Sequence, residues 1–164
     1  MTAARGIRHG VLKVIITRGA GSRGYRLPAE PVTTVVWSTM ESEPLQSRPI
    51  EIRWCETMVS VNPATAGLKT LGRLEQVLAR AEWDLPDVAE GLMTTTDRQL
   101  IGGTSSNVFV VAGDRVLTPS LDRAGVAGVM RRVVLEVARQ AGIEVVETAL
   151  APFEVHAATE LFVT

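Results

Sequence analysis

The apolar and polar positions divide this chain into short β-branched runs broken by turns, with two longer stretches of helical spacing. GVLKVIITRG at 10–19 is apolar, rich in β-branched residues and closed by a glycine, which predicts a strand entering a turn. The turn itself, RGAGSRGY at 18–25, holds Gly19, Gly21 and Gly24, each a position suited to positive φ or a close backbone approach. TTVVWSTM at 33–40 predicts a second strand, antiparallel to the first. ESEPLQSRP at 41–49 is polar and proline-bearing and reads as a boundary between domains.

Beyond that boundary IEIRWCE at 50–56 alternates as a strand, and TLGRLEQVLARAEW at 70–83 has the spacing of an amphipathic helix. EGLMTTTDRQLIGGTSSNVFVVAGDRVLTP at 90–119 predicts several short strands joined by turns at Asp97–Arg98 and Gly113–Asp114. GVMRRVVLEVARQAG at 128–142 predicts a helix with two adjacent apolar rows, Val129, Val133, Val137 and Val126, Met130, Val134, stopped at Gly142. A strand over 143–150, a short helix opened near Pro152 and the start of a strand at LFVT complete the pattern. An apolar strand as the last element leads to the expectation that the chain is cut from something longer. There are no internal repeats or low-complexity segments.

Composition narrows the function classes. The 164 residues are 46% hydrophobic and 21% charged, which is ordinary for a globular protein with a substantial core. A net charge of −1 and scattered arginines give no footprint for nucleic acid. The single cysteine, Cys55, has no internal disulfide partner, MTAARGIRHG lacks the apolar core of a signal peptide, and no apolar run reaches membrane length. A cytoplasmic protein without membrane or nucleic-acid partners is expected. His9 and His156 stand alone, without the spacing of metal ligands or a catalytic triad, and no metal is expected.

Positive charge is carried by fifteen arginines and only two lysines, Lys13 and Lys69. An arginine serves equally well on a solvated helix face but cannot be deprotonated to attack a carbonyl, so a lysine at 69 points towards chemistry. A solvated lysine at the start of a helix is the plainer reading of the same residue.

Four stretches in order, ITRGAGSRGY, AGLKTLGRLEQVLAR, GGTSSNVFVV and LTPSLDRAGVAGVMRR, resemble the 4-amino-4-deoxychorismate lyases within the fold-type IV pyridoxal-phosphate enzymes, the group that holds the branched-chain and D-amino-acid aminotransferases. The resemblance covers about residues 10–164. It implies an α+β fold: a large domain with mixed, barrel-like strands and packed helices over 51–164, incomplete at its C-terminus, a linker at 46–50, and a remnant of the small α/β domain over 1–45. The implied reaction converts 4-amino-4-deoxychorismate to 4-aminobenzoate and pyruvate, a step towards folate, in a homodimer. An aminotransferase of the same fold and a shortened product with little or no activity are the alternatives.

The resemblance also assigns residues. Lys69 matches the lysine that binds pyridoxal 5'-phosphate covalently and then moves protons. Gly102, Ser106 and Asn107 match cofactor-facing positions, and Ser105 lies among them. Gly128, Val129 and Met130 match a phosphate-holding helix start. Arg23 and Tyr25 match residues that face substrate carboxylates. There are two departures. The family commonly has glutamate, the partner of the cofactor's ring nitrogen, where this chain has Gly102, and asparagine where it has Gly72. The first removes a hydrogen bond to a charged group, worth about 1.5 to 3 kcal/mol.

Overall fold

A computed structural model describes residues 7–44 and 48–164. The chain divides into two compact units, Met1–Arg48 and Pro49–Thr164. Of the expected linker at 46–50, residues 46 and 47 lie outside the described residues.

The first unit is an antiparallel pair, β1 (Gly10–Thr17) with β2 (Thr34–Glu41), in a register that sets Lys13 opposite Ser38 and Val14 opposite Trp37. This agrees with the two strands and the orientation that the sequence predicts. The glycine-rich turn is the first part of a longer connection over 18–33. Gly19 is needed in it, because φ is +88° and a Cβ would run into the carbonyl of Val32. Gly21, in contrast, has open space around it and an ordinary φ.

The second unit mixes strands and helices, as an α+β fold requires. β3 (Glu51–Trp54), β4 (Val88–Thr94) and β5 (Leu100–Gly103) form a sheet in which β3 and β4 run parallel and β5 returns antiparallel. A four-stranded sheet, in the order β8-β7-β6-β9, holds β6 (Val108–Ala112), β7 (Arg115–Pro119), β8 (Val145–Thr148) and β9 (Glu160–Val163). The helices are α1 (Leu74–Arg80), α2 (Val129–Gln140) and α3 (Pro152–His156). Two apolar clusters make the core. One gathers Trp83, Val88, Met93 and Ile101 around Cys55 and Ala79, and the other gathers Leu92, Leu100, Val108, Val110 and Leu150. Burial pushes the Cys55 thiol up to about 11, with the Glu82 charge adding to it, so this cysteine is a packing group and not a nucleophile.

The helices depart from the sequence reading. The helix expected over 70–83 is formed only over Leu74–Arg80, which leaves Lys69 on an irregular segment five residues before it. In α2 the row Val129, Val133, Val137 faces outward, with Val129 69% and Val137 57% exposed, while in the second row Met130 is exposed and Val126 and Val134 are half-buried. The inward side instead buries Ala138 and Arg131, whose guanidinium donates to the carbonyl of Pro119 and to Glu147. A buried arginine needs such partners, and β7 and β8 supply both.

Candidate active site

Three loops of the second unit converge on one cavity. The first carries Lys69. Gly67, with φ at +78°, forms a parallel bridge to the loop before α2: its N–H donates to the Gly125 carbonyl and its own carbonyl accepts from the Ala127 N–H. The chain then passes through Lys69, without regular secondary structure and with a bend at Leu71, to the start of α1. Two residues of separation from the bridge therefore set the lysine beside the N-terminus of α2.

The second loop is the approach to α2. Gly128 is the N-cap, with no side chain capping the helix, so the first backbone N–H groups of this twelve-residue helix have no intrahelical acceptor. Those groups and the helix dipole favour an anion at this end. A Cβ at 128 would run into the carboxamide oxygen of Asn107. That carboxamide is fixed by donating to the Val126 carbonyl at 2.8 Å, and Asn107 exchanges backbone bonds with Thr164.

The third loop joins β5 to β6 and contains Thr104, Ser105 and Ser106. It folds over Glu90 of β4, which is only 5% exposed. The Glu90 carboxylate accepts from the hydroxyls of Thr104 (2.5 Å), Ser105 (3.0 Å) and Ser106 (2.7 Å) and from the backbone N–H groups of Gly91 and Thr104 (each 2.9 Å). Burial opposes the charge, but the Thr104 and Ser106 hydroxyls and the Gly91 amide outweigh it and hold the carboxyl below its ordinary range. Sequence reading missed Glu90. A carboxylate in the apolar strand VAEGLM requires donors, but the residues that provide them, Thr104, Ser105 and Ser106, lie fourteen to sixteen positions further along the chain.

The cavity that results has a volume of about 280 Å³, and Lys69, Gly102, Ser106, Asn107, Gly128, Val129 and Met130 all line it. Arg73, Gln76, Thr104 and Ser105 complete its polar wall. Among the described residues its lining carries two cationic side chains and no carboxylate. Arg23 and Tyr25 belong to the first unit, on the connection between β1 and β2, where Tyr25 is fully exposed. His156 packs near the Trp54 ring, 6.0 Å between centroids.

The amino-transferase class IV family model matches residues 1–164. The chain belongs to that family. It is 38% identical over 138 residues to the aminodeoxychorismate lyase of Vibrio harveyi, a match covering 82% of this chain and 51% of that protein. The crystal structure of 4-amino-4-deoxychorismate lyase from Pseudomonas aeruginosa superposes with a TM-score of 0.89 at 39% identity, over 94% of this chain and 58% of that one. Branched-chain amino acid aminotransferase 2 of Humulus lupulus is 33% identical over 104 residues, 61% of this chain and 25% of that protein. The chain thus spans about half the length of the lyases it matches. These class IV homologues are pyridoxal-phosphate enzymes.

The residues present fit that cofactor at two ends. Lys69 offers an amine for the aldehyde, and the uncapped start of α2, with its cradle kept open by Gly128, suits a phosphate. The third end differs from the family pattern. Gly102 presents no carboxylate, and the room there is small, since a Cβ would lie 3.0 Å from the Ser106 carbonyl oxygen.

Proposed function

We propose that this chain carries the cofactor-binding part of a pyridoxal-phosphate-dependent lyase that converts 4-amino-4-deoxychorismate to 4-aminobenzoate and pyruvate. The observation behind this reading is the convergence of Lys69 and the open N-terminus of α2 on one cavity, in a chain 38% identical to one such lyase and 39% to another. Gly128, Val129 and Met130 hold the phosphate through backbone N–H groups, and Asn107 keeps their approach in shape. Lys69 would hold the cofactor through Nζ, and its amine, once free, could carry a proton at the reacting carbon. When bound, pyridoxal phosphate withdraws electrons from the amine-bearing carbon.

The conversion removes the proton from the amine-bearing ring carbon, breaks the ether C–O bond and adds a proton to the methylene of the departing enolpyruvyl group. Arg73 cannot give up a proton, so among the cavity-lining residues the released Lys69 Nζ is the carrier for both transfers. The departure at Gly102 weighs on both readings alike; the lyase is favoured over the aminotransferase by 38% identity across 82% of this chain against 33% across 61%. Arg23 and Tyr25 are proposed to meet substrate carboxylates, in a cytoplasmic homodimer.

The test begins with pyridoxal phosphate and borohydride reduction, followed by peptide mapping. The pyridoxyl group is expected on Lys69 and not on Lys13; finding it on Lys13 would remove the assignment. Pyruvate release from 4-amino-4-deoxychorismate, set against amino transfer to a 2-oxo acid, then separates the two reactions. Neither activity in a chain labelled at Lys69 would favour an inactive product.

A further inference from the structure

Arg73 occupies a position that does not serve its own helix. It is the N-cap of α1, with φ −128° and ψ 30°, and makes no capping hydrogen bond. Helices favour Ser, Thr, Asp or Asn there, and a cation at the positive end of the dipole is unfavourable. The side chain turns back along the chain instead. One guanidinium nitrogen, Nη2, donates to the carbonyl of Leu68 at 2.7 Å, and Nε donates to the carbonyl of Thr70 at 3.2 Å. They belong to the residues before and after Lys69: the Leu68 carbonyl is in the peptide that enters the lysine, and the Thr70 carbonyl is in the peptide that follows Thr70. No backbone N–H among the described residues donates to either of them.

We propose that Arg73 is a positioning residue for Lys69: its fork ties down the carbonyls of Leu68 and Thr70, the residues before and after the lysine, and so aims Nζ into the cavity. The inference rests on the reading of Lys69 as the cofactor-binding amine. The Gly67 bridge fixes the segment on its N-terminal side but leaves 68–70 without strand pairing. A planar guanidinium spans both carbonyls at once, whereas an ammonium is a single point of donation. The consequence falls on one step. Nζ condenses with the aldehyde of pyridoxal phosphate, forming a C=N bond while the carbonyl oxygen leaves as water. A misdirected amine weakens this condensation by about tenfold to a hundredfold. Binding of the same ring and phosphate without an aldehyde does not depend on the amine's direction.

The experiment compares the dissociation constants of pyridoxal 5'-phosphate and pyridoxamine 5'-phosphate, which has no aldehyde, for the chain and for Arg73→Gln and Arg73→Lys. Pyridoxal phosphate affinity is expected to fall about tenfold or more in Arg73→Gln, with pyridoxamine phosphate affinity unchanged within about threefold. Arg73→Lys, which keeps the charge and loses the fork, is expected to recover only part of the loss, and it carries the comparison should Arg73→Gln fail to unfold cooperatively. A parallel fall for both ligands would mean that Arg73 contacts the anion or merely supports the fold. That result, or no change for either, would overturn the proposal. Absence of condensation at Lys69 in the unsubstituted chain would instead overturn the reading of Lys69.

Discussion

Glu90 does for the wall of the cavity what an enzyme usually asks of a loop's backbone: it fixes three consecutive small polar residues from behind. Replacing one carboxylate oxygen by an NH₂ group in Glu90→Gln puts a donor where an acceptor now meets donors such as the Gly91 and Thr104 N–H groups. The expected cost is about 1.5 to 3 kcal/mol of stability, the range for hydrogen bonds to a charged group, measured by urea unfolding. The folded carboxyl lies below its ordinary value of 4.5, because the Thr104, Ser106 and Gly91 donors outweigh the opposing effect of burial. Its contribution is therefore present in full above 4.5 and is withdrawn as pH falls through the lower folded value. In Glu90→Gln this part of the acid loss should vanish. An unfolding curve equally sensitive to acid in both proteins would show that other carboxylates control it.

At the scale of elements, the cavity depends on α2 beginning where it does. Gly128→Ala forces a methyl group against the Asn107 carboxamide and loosens its bond to Val126. We expect a stability loss of about 1 kcal/mol and a fall of about tenfold in affinity for both pyridoxal phosphate and pyridoxamine phosphate, since the phosphate cradle serves the two alike. A loss confined to pyridoxal phosphate would place the effect at Lys69 instead. The strands were legible because their signals are local: β-branched runs, the Asp97–Arg98 turn with Arg98 at φ 62°, and Gly113 at φ 66°. The start of α1 was not legible, because helical spacing over 70–83 says nothing of an arginine folding back onto 68 and 70. Apolar spacing in α2 likewise gave the existence of the helix but not its inward side, where Arg131, paired with Glu147, is buried beside Ala138. The cavity residues came from motif resemblance. Glu90 required knowing that Thr104–Ser106 return onto β4.

For the whole molecule, the two units differ in what they bury. The second has two apolar clusters of its own. The first offers a two-stranded pair whose apolar residues remain open on both faces: Leu12 is 58% and Ile16 69% exposed on one, Val11 49% and Val36 52% on the other. A lone two-stranded pair is marginal in water, and apolar surface of this extent drives association. The outward row of α2 and the exposed Leu74 and Val77 of α1 add further apolar surface in the second unit. The homodimer proposed above supplies a partner of the right chemistry, a second copy of the same faces. The chain should therefore scatter light as a species heavier than 17.6 kDa at micromolar concentration. Hydrogen exchange gives the sharper reading. Amides of β4 and β6, buried in the core, should be protected at every concentration, while those of β1 and β2 should gain protection as the protein is concentrated. A monodisperse monomer with β1 and β2 already protected at the lowest concentration would mean that the pair is stabilised within one chain, and that the apolar faces do not drive assembly.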